Sequence, residues 1–317
     1  MEKARFKWVL RERNRKIAAK TEAFTEQQAR RVRSFHSSFK EYSPTPLIEL
    51  TSLAQHLGIK NLFVKDESYR FGLNAFKVLG GSFAIGSYIA NELGEDIDDL
   101  PYMRLVSDEV RSLLGSKTFI TTTDGNHGRG VAWTANRLKQ QAIVYMPQGS
   151  AAERLANIRA EGAQAEITDM NYDDTVRYTS ELAQKNGWII VQDTAWDGYT
   201  RIPLWIMQGY MTMALEAYEQ LPVKPTHIFL QAGVGSLAGS VQGFFADIYG
   251  SSCPLTFIVE PKGADCLYQT AAANDGSLHS VTGRLETIMA GLACGEPNSI
   301  AWEIIGNLSD GFISCPD

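Results

Sequence analysis

The sequence predicts an α/β protein built on a mostly parallel sheet, and two observations carry that expectation. Short β-rich runs alternate with longer helix-like stretches, the pattern of βαβ units. The runs are apolar throughout, not at every second residue, as strands covered on both faces are. The expected strands are 62–64, 118–121, 142–146, 188–191, 228–230 and 257–259, and the expected helices are 75–91, 151–161, 173–185, 203–220 and 237–249. Composition shifts near residues 90 and 195, which points to a middle segment that folds as its own unit.

The elements follow in order. Residues 1–42 are polar and charged and read as an extension with some helix; Arg30, Arg31 and Arg33 within it read as a solvated helix face. Pro44 and Pro46 then impose extended backbone. The acidic, irregular stretch 92–117 reads as an insertion or a lid. A length of 317 residues favours two domains. A net charge of -6 argues against a nucleic-acid partner. The charged N-terminus carries no signal-peptide pattern, and no run reaches the length of a membrane span. Cys253, Cys266, Cys294 and Cys315 are irregularly spaced, without C-x-x-C, so reduced thiols are expected and a metal site is not. A Cys266–Cys294 bridge stays open.

Four clusters stand where open α/β sheets bind ligands, at or after strand ends. Gly233, Val234, Gly235, Ser236 and Leu237 follow one strand and open a helix. Glycines let backbone N–H groups approach an anion, and the helix start adds positive potential, so a phosphate fits; a plain helix-start turn fits as well. The turn Thr121-Thr122-Thr123-Asp124-Gly125-Asn126-His127-Gly128 offers donors for a carboxylate, or an Asx turn that caps a helix. His127 reads either as a catalyst or as packing. Lys77 sits among apolar residues, where burial lowers a lysine's pKa and a neutral amine can condense with an aldehyde; the bland alternative is a lysine reaching solvent from an amphipathic helix. Asp193 ends a strand, as a functional carboxylate or a turn residue.

Together these clusters, in this order, resemble the fold-type II pyridoxal-phosphate enzymes. The longer words Lys65-Asp66-Glu67-Ser68, Arg70 to Lys77, Thr121 to Gly130, Thr168 to Asp174, Gln192 to Trp196 and Ile288 to Pro297 resemble the diaminopropionate ammonia-lyase family. The resemblance implies two open, twisted, mostly parallel sheets with helices on both faces. It implies a larger cofactor-binding domain from 1–88 with 196–317, and a smaller substrate-side domain at 89–195. It implies pyridoxal 5'-phosphate as cofactor, a small amino-acid substrate, a homodimer and the cytoplasm.

Residue by residue, Lys77 is the Schiff-base lysine, with Phe76 beside it. Asn126 contacts the cofactor's ring hydroxyl, residues 233–237 cradle its phosphate, and Gly291 and Leu292 lie near its ring. Thr122, Thr123, Asp124, Gly125, Asn126 and His127 meet the substrate. Most of the wider superfamily has serine or threonine where this chain has Asp124. A carboxylate there suits α,β-elimination of 2,3-diaminopropionate, with Lys77 as base for the L-isomer, Asp124 for the D-isomer, and Asp193 relaying or orienting protons. A serine or threonine dehydratase and a cofactor-binding paralogue without turnover are the alternatives. The family continues past the strand at 312–315, so the C-terminal part of the fold, with the hydroxyl expected on the pyridine nitrogen, is expected to be missing, leaving a less stable chain or one that leans on a partner.

Overall fold

The computed structural model describes residues 6–12, 21–123 and 125–317. Two four-stranded sheets organise it. The first contains β4 (Thr118–Thr122), β5 (Gln141–Met146), β6 (Gln164–Ile167) and β7 (Ile189–Ile190), in the order β6-β5-β4-β7 and parallel throughout. Ile120 at its centre stands level with Ile143 on one side and Ile190 on the other. The second sheet runs β1-β10-β9-β8, with β8 (His227–Gln231), β9 (Leu255–Pro261) and β10 (Gly311–Cys315) parallel. β1 (Lys7–Leu10) closes one edge antiparallel to β10.

Three expectations need correction. The run at 62–64 does not enter a parallel sheet: β3 (Phe63–Lys65) pairs antiparallel with β2 (Leu47–Glu49) in a sheet of their own. The polar N-terminal stretch supplies strand β1, whose alternation is too short to separate from a charged tail. The stretch 92–117 is not irregular. It holds α4 (Tyr102–Leu105) and α5 (Asp108–Leu114), anchored by buried Ile97, Leu100, Leu105, Val110 and Leu114. Its acidic surface masked this apolar set.

The remaining helices cover the sheets: α1 (Glu26–Ser37), α2 (Thr51–Leu57), α3 (Lys77–Leu93), α6 (Asn126–Arg137), α7 (Ala152–Ala160), α8 (Tyr172–Asn186), α9 (Arg201–Gln220), α10 (Ser236–Tyr249), α11 (Cys266–Ala273) and α12 (Ser299–Leu308). The basic residues of α1 lie on its outer face as expected, with Arg31 paired to Asp96 and Asp98, and Arg33 to Glu219.

Helix α3 is the axis of the fold. Residues 78–87 are buried without a gap, so it has no solvent face, and it packs on α9 and α6. Close approach explains its composition. A Cβ on Gly80 would lie 2.7 Å from Ile206, and one on Gly130 would lie 2.8 Å from the Val78 backbone. Leu79 and Ile85 are fully buried; truncating either to alanine would cost about 2–5 kcal/mol. This rigid axis fixes where Lys77, its first residue, begins. Among the described residues no helix is long and apolar enough to cross a membrane.

Candidate active site

Three helix starts and one strand end form the site. Lys77 begins α3, Asn126 begins α6, Ser236 begins α10, and Asp193 follows β7. An ion pair and a hydrogen bond connect Lys77, Asp193 and Ser236. The Lys77 Nζ donates to Asp193 Oδ2, with side chains 23% and 6% exposed. The Ser236 Oγ donates to the Asp193 carbonyl at 2.5 Å. Asp193 is therefore the junction between the lysine and the glycine-rich loop.

Electrostatics reverse one expectation. Burial alone would push Lys77 toward its neutral form, but the charge and hydrogen bond of Asp193 hold its pKa above the ordinary lysine value. In this state Lys77 is an ammonium. Burial alone would raise Asp193, but Lys77 and then His127 pull it down to about 2. The nearby carboxylate outweighs desolvation, which a sequence window around Lys77 cannot reveal.

His127 is buried. Its Nε2 donates to the Val191 carbonyl at 2.7 Å, and Nδ1 lies 3.9 Å from Asp193 Oδ2, too far for a hydrogen bond. Its ring braces the Asp193 segment, which favours the packing reading.

The hydroxyls of the turn after β4 make internal bonds. Thr121 Oγ1 and the Thr122 N–H both donate to Gln192 Oε1 at 3.0 Å. Thr122 Oγ1 bonds Thr175 and Thr179 of α8, and Thr123 Oγ1 accepts the Gly125 N–H at 2.9 Å. The Thr122 and Thr123 hydroxyls thus shape the turn. Asn126 is exposed at the start of α6. Asp124 lies outside the described residues.

The glycine-rich loop can receive an anion. The Ala232 N–H closes the ladder on Val259, Gly235 takes a φ of +100° that only glycine adopts readily, and no side chain caps α10. First-turn N–H groups of an uncapped helix attract an anion. A Cβ on Gly233 would sit 3.1 Å from Cys294 Sγ and 3.5 Å from the Leu292 Cα. The 290–294 segment therefore crosses the loop, and it brings Gly291 and Leu292 there. Phe76 packs edge-on against Tyr210 at 5.2 Å. The residues thus fit a phosphorylated aldehyde: an amine for the aldehyde, and a bare, capless helix start for the phosphate. Pyridoxal phosphate would be held by Lys77 and by the 233–237 backbone.

Two residues escaped the sequence reading. Asn298, fully buried, donates from Nδ2 to Ser236 Oγ at 2.8 Å and from its N–H to the Val234 carbonyl at 2.8 Å, locking the loop. Its position just before α12 marks it as a helix cap, which hid this second task. Tyr210 carries no local motif at all. All four cysteines are thiols, so the Cys266–Cys294 bridge is not formed. No metal-ligating cluster occurs among the described residues.

A lysine–carboxylate pair beside a glycine-lined helix start, in an α/β fold with two sheets, suits the class of enzymes that work through a lysine Schiff base. The chain belongs to the family described as pyridoxal-phosphate dependent enzymes, whose model matches residues 39–317. It is 53% identical over 290 residues to the diaminopropionate ammonia-lyase of Salmonella typhimurium, covering 90% of this chain and 72% of that one. Among solved structures it is similar to Escherichia coli diaminopropionate ammonia lyase in complex with D-serine, with a TM-score of 0.90 and 49% identity, covering 99% of this chain and 77% of the other. It is similar also to the same enzyme in complex with an aminoacrylate–PLP azomethine reaction intermediate, with a TM-score of 0.88, 48% identity and the same coverage.

Proposed function

We propose that this chain is a pyridoxal-phosphate-dependent ammonia-lyase that converts 2,3-diaminopropionate and water to pyruvate and two ammonia. The observation that carries the chemistry is the Lys77–Asp193 pair beside the open start of α10. The substrate follows from the relatives at 53% identity over 290 residues. The electron sink for a carbanion at the substrate's Cα comes from bound pyridoxal phosphate.

The chain's own residues do the rest. The 233–237 backbone binds the phosphate, and Asn298 keeps that backbone in place. The turn at 122–126 takes the substrate carboxylate through its backbone, Asn126 and the Thr123 hydroxyl, which accepts the Gly125 N–H and keeps its proton to donate, while the Thr122 hydroxyl is engaged with α8. Lys77, as a neutral amine, takes the α-proton of the L-isomer. Asp193 orients it and receives the charge that develops there. Asp124 takes the α-proton of the D-isomer from the opposite side. The β-amino group leaves as ammonia, and the released enamine hydrolyses to pyruvate and the second ammonia.

Segments 1–88 with 196–317 form the larger, cofactor-binding part, and 89–195 the smaller one; the four strands of the β6-β5-β4-β7 sheet all fall in the latter. The enzyme works in the cytoplasm, which the thiol state of its cysteines supports. It works as a homodimer. Register partners Ile48 and Val64, with Leu53 and Leu57, leave apolar side chains exposed, and sedimentation at twice 35.1 kDa would bear this out, while the monomer mass would refute it.

Pyruvate release from each isomer tests the chemistry. The wild type yields pyruvate from both. Asp124→Asn loses about 100-fold or more on the D-isomer and less than about tenfold on the L-isomer. No pyruvate from either isomer in the wild type would refute the activity; equal losses in the variant would refute the second base.

A further inference from the structure

Tyr210 is the buried polar group that the mechanism above leaves unused. It sits on α9 against α3: a Cβ on Gly80 would lie 2.7 Å from its Cε1 and 2.9 Å from its Cζ. Gly80 is three residues after Lys77, hence on the same face of α3. On the other side, the ring meets Phe76 edge-on at 5.2 Å. The side chain is fully buried, and its hydroxyl has no hydrogen-bond partner among the described residues.

A buried hydroxyl without a partner is costly, and native structures keep few of them. Phenylalanine would fill this space without that cost. Lys77 and Asp193 are the charged groups that act on the hydroxyl, and in this state, with Lys77 held by Asp193, it hydrogen-bonds neither. Burial pushes its acidity well down, so it remains a neutral phenol at working pH, able to donate and to accept.

Lys77 needs such a group. As a neutral amine it has one lone pair and two N–H bonds. For the lone pair to face a substrate's α-hydrogen, both N–H bonds need fixed acceptors, and Asp193 Oδ2 supplies one. We propose that Tyr210 is a positioning residue for Lys77: its phenol oxygen accepts the second N–H of the amine and so directs the lone pair at the substrate. The catalytic part of this inference rests on the proposed function. The effect on the amine itself does not.

Tyr210→Phe tests it, because the ring contacts with Gly80 and Phe76 are kept. The melting temperature should hold or rise, since an unpartnered hydroxyl is removed. Cofactor-stripped protein should capture pyridoxal phosphate faster at fixed pH, read from the Schiff-base absorbance. Loss of the phenol oxygen, whose lone pairs favour a cation beside them, weakens the hold of Lys77 on its proton, and about one pH unit of weakening enlarges the reactive neutral fraction about tenfold. Turnover of the L-isomer should fall about tenfold at unchanged KM, while the D-isomer, served by Asp124, stays within about twofold. An unchanged or slower capture would overturn the proposal, as would equal loss on both isomers. A lowered melting temperature with unchanged capture would reduce the phenol to packing and overturn it too. If the wild type makes no pyruvate, the activity reading fails while the capture rate still decides the role of Tyr210.

Discussion

Two buried ion pairs in this molecule use the same chemistry to opposite ends. Arg70 and Glu216 are each 1% exposed and joined by two parallel hydrogen bonds, at 2.9 and 2.7 Å. Every remaining valence is met. Arg70 also reaches Glu67 and Thr45, and Glu216 also takes Lys65, Tyr42 and the Thr45 N–H. Lys77 and Asp193 make a single contact, with the lysine 23% exposed and Tyr210 beside them unpartnered. Saturation makes a clamp. It holds the 42–70 stretch on α9 and offers no free proton or lone pair. Undersaturation makes a reactive pair: a lysine with one strong partner can leave it, while an arginine held by Glu67, Glu216, Thr45 and Ser43 cannot.

The largest expected effect falls on the open pair. Lys77→Ala should abolish the Schiff-base absorbance and cut pyruvate release by about 10⁴-fold or more. Its cost in stability should be only about 1–2 kcal/mol, because this end of the site meets water and Asp193 keeps His127 nearby. Urea denaturation measures the second figure. A full Schiff-base spectrum in the variant would remove Lys77 from its role, and a loss of stability as great as at Glu216 would erase the contrast between the pairs.

How legible each pair was in the sequence follows from how local it is. Lys77 was visible because its neighbours are apolar and glycines follow within a turn. The loop at 233–237 was visible because glycines cluster after a β-rich run. Asp193 was visible only as a strand end; that it sets the charge of Lys77, 116 residues away, depends on tertiary contact. Dependence on tertiary contact hid Tyr210 and Asn298 as well. The word Lys65-Asp66-Glu67-Ser68 was legible as a family resemblance but not as a mechanism, because its meaning lies in Glu216 on another helix. The sheets were read largely from apolar runs. β1, β6 and the helices at 102–114 escaped because their inward-facing residues are few and their outward ones charged. The antiparallel pairing of β3 was missed because a three-residue strand carries no signal of direction.

The clamp should break in the opposite way. Glu216→Gln keeps the side chain's shape but leaves Arg70 and Lys65 short of a charge, and should cost about 3 kcal/mol of stability at neutral pH. In protein that remains folded, kcat should stay within about threefold, because Glu216 touches neither Lys77 nor the 233–237 loop. The pH dependence gives the sharper comparison. Burial alone would raise the Glu216 carboxyl, but Arg70 and then Lys65 pull it from 4.5 to about 2. A carboxylate depressed in the folded state contributes stability that is fully present above its unfolded pKa and is lost as pH falls through the folded one. In the wild type, urea midpoints should therefore drop between about pH 4.5 and 2. Asp193, also held down to about 2, contributes to the same limb. Glu216→Gln should flatten that limb but keep the part due to Asp193. If the variant's limb is as steep as the wild type's, the Arg70–Glu216 pair is not the clamp. If it vanishes altogether, the open pair adds nothing to the fold, and Lys77 and Asp193 serve chemistry alone.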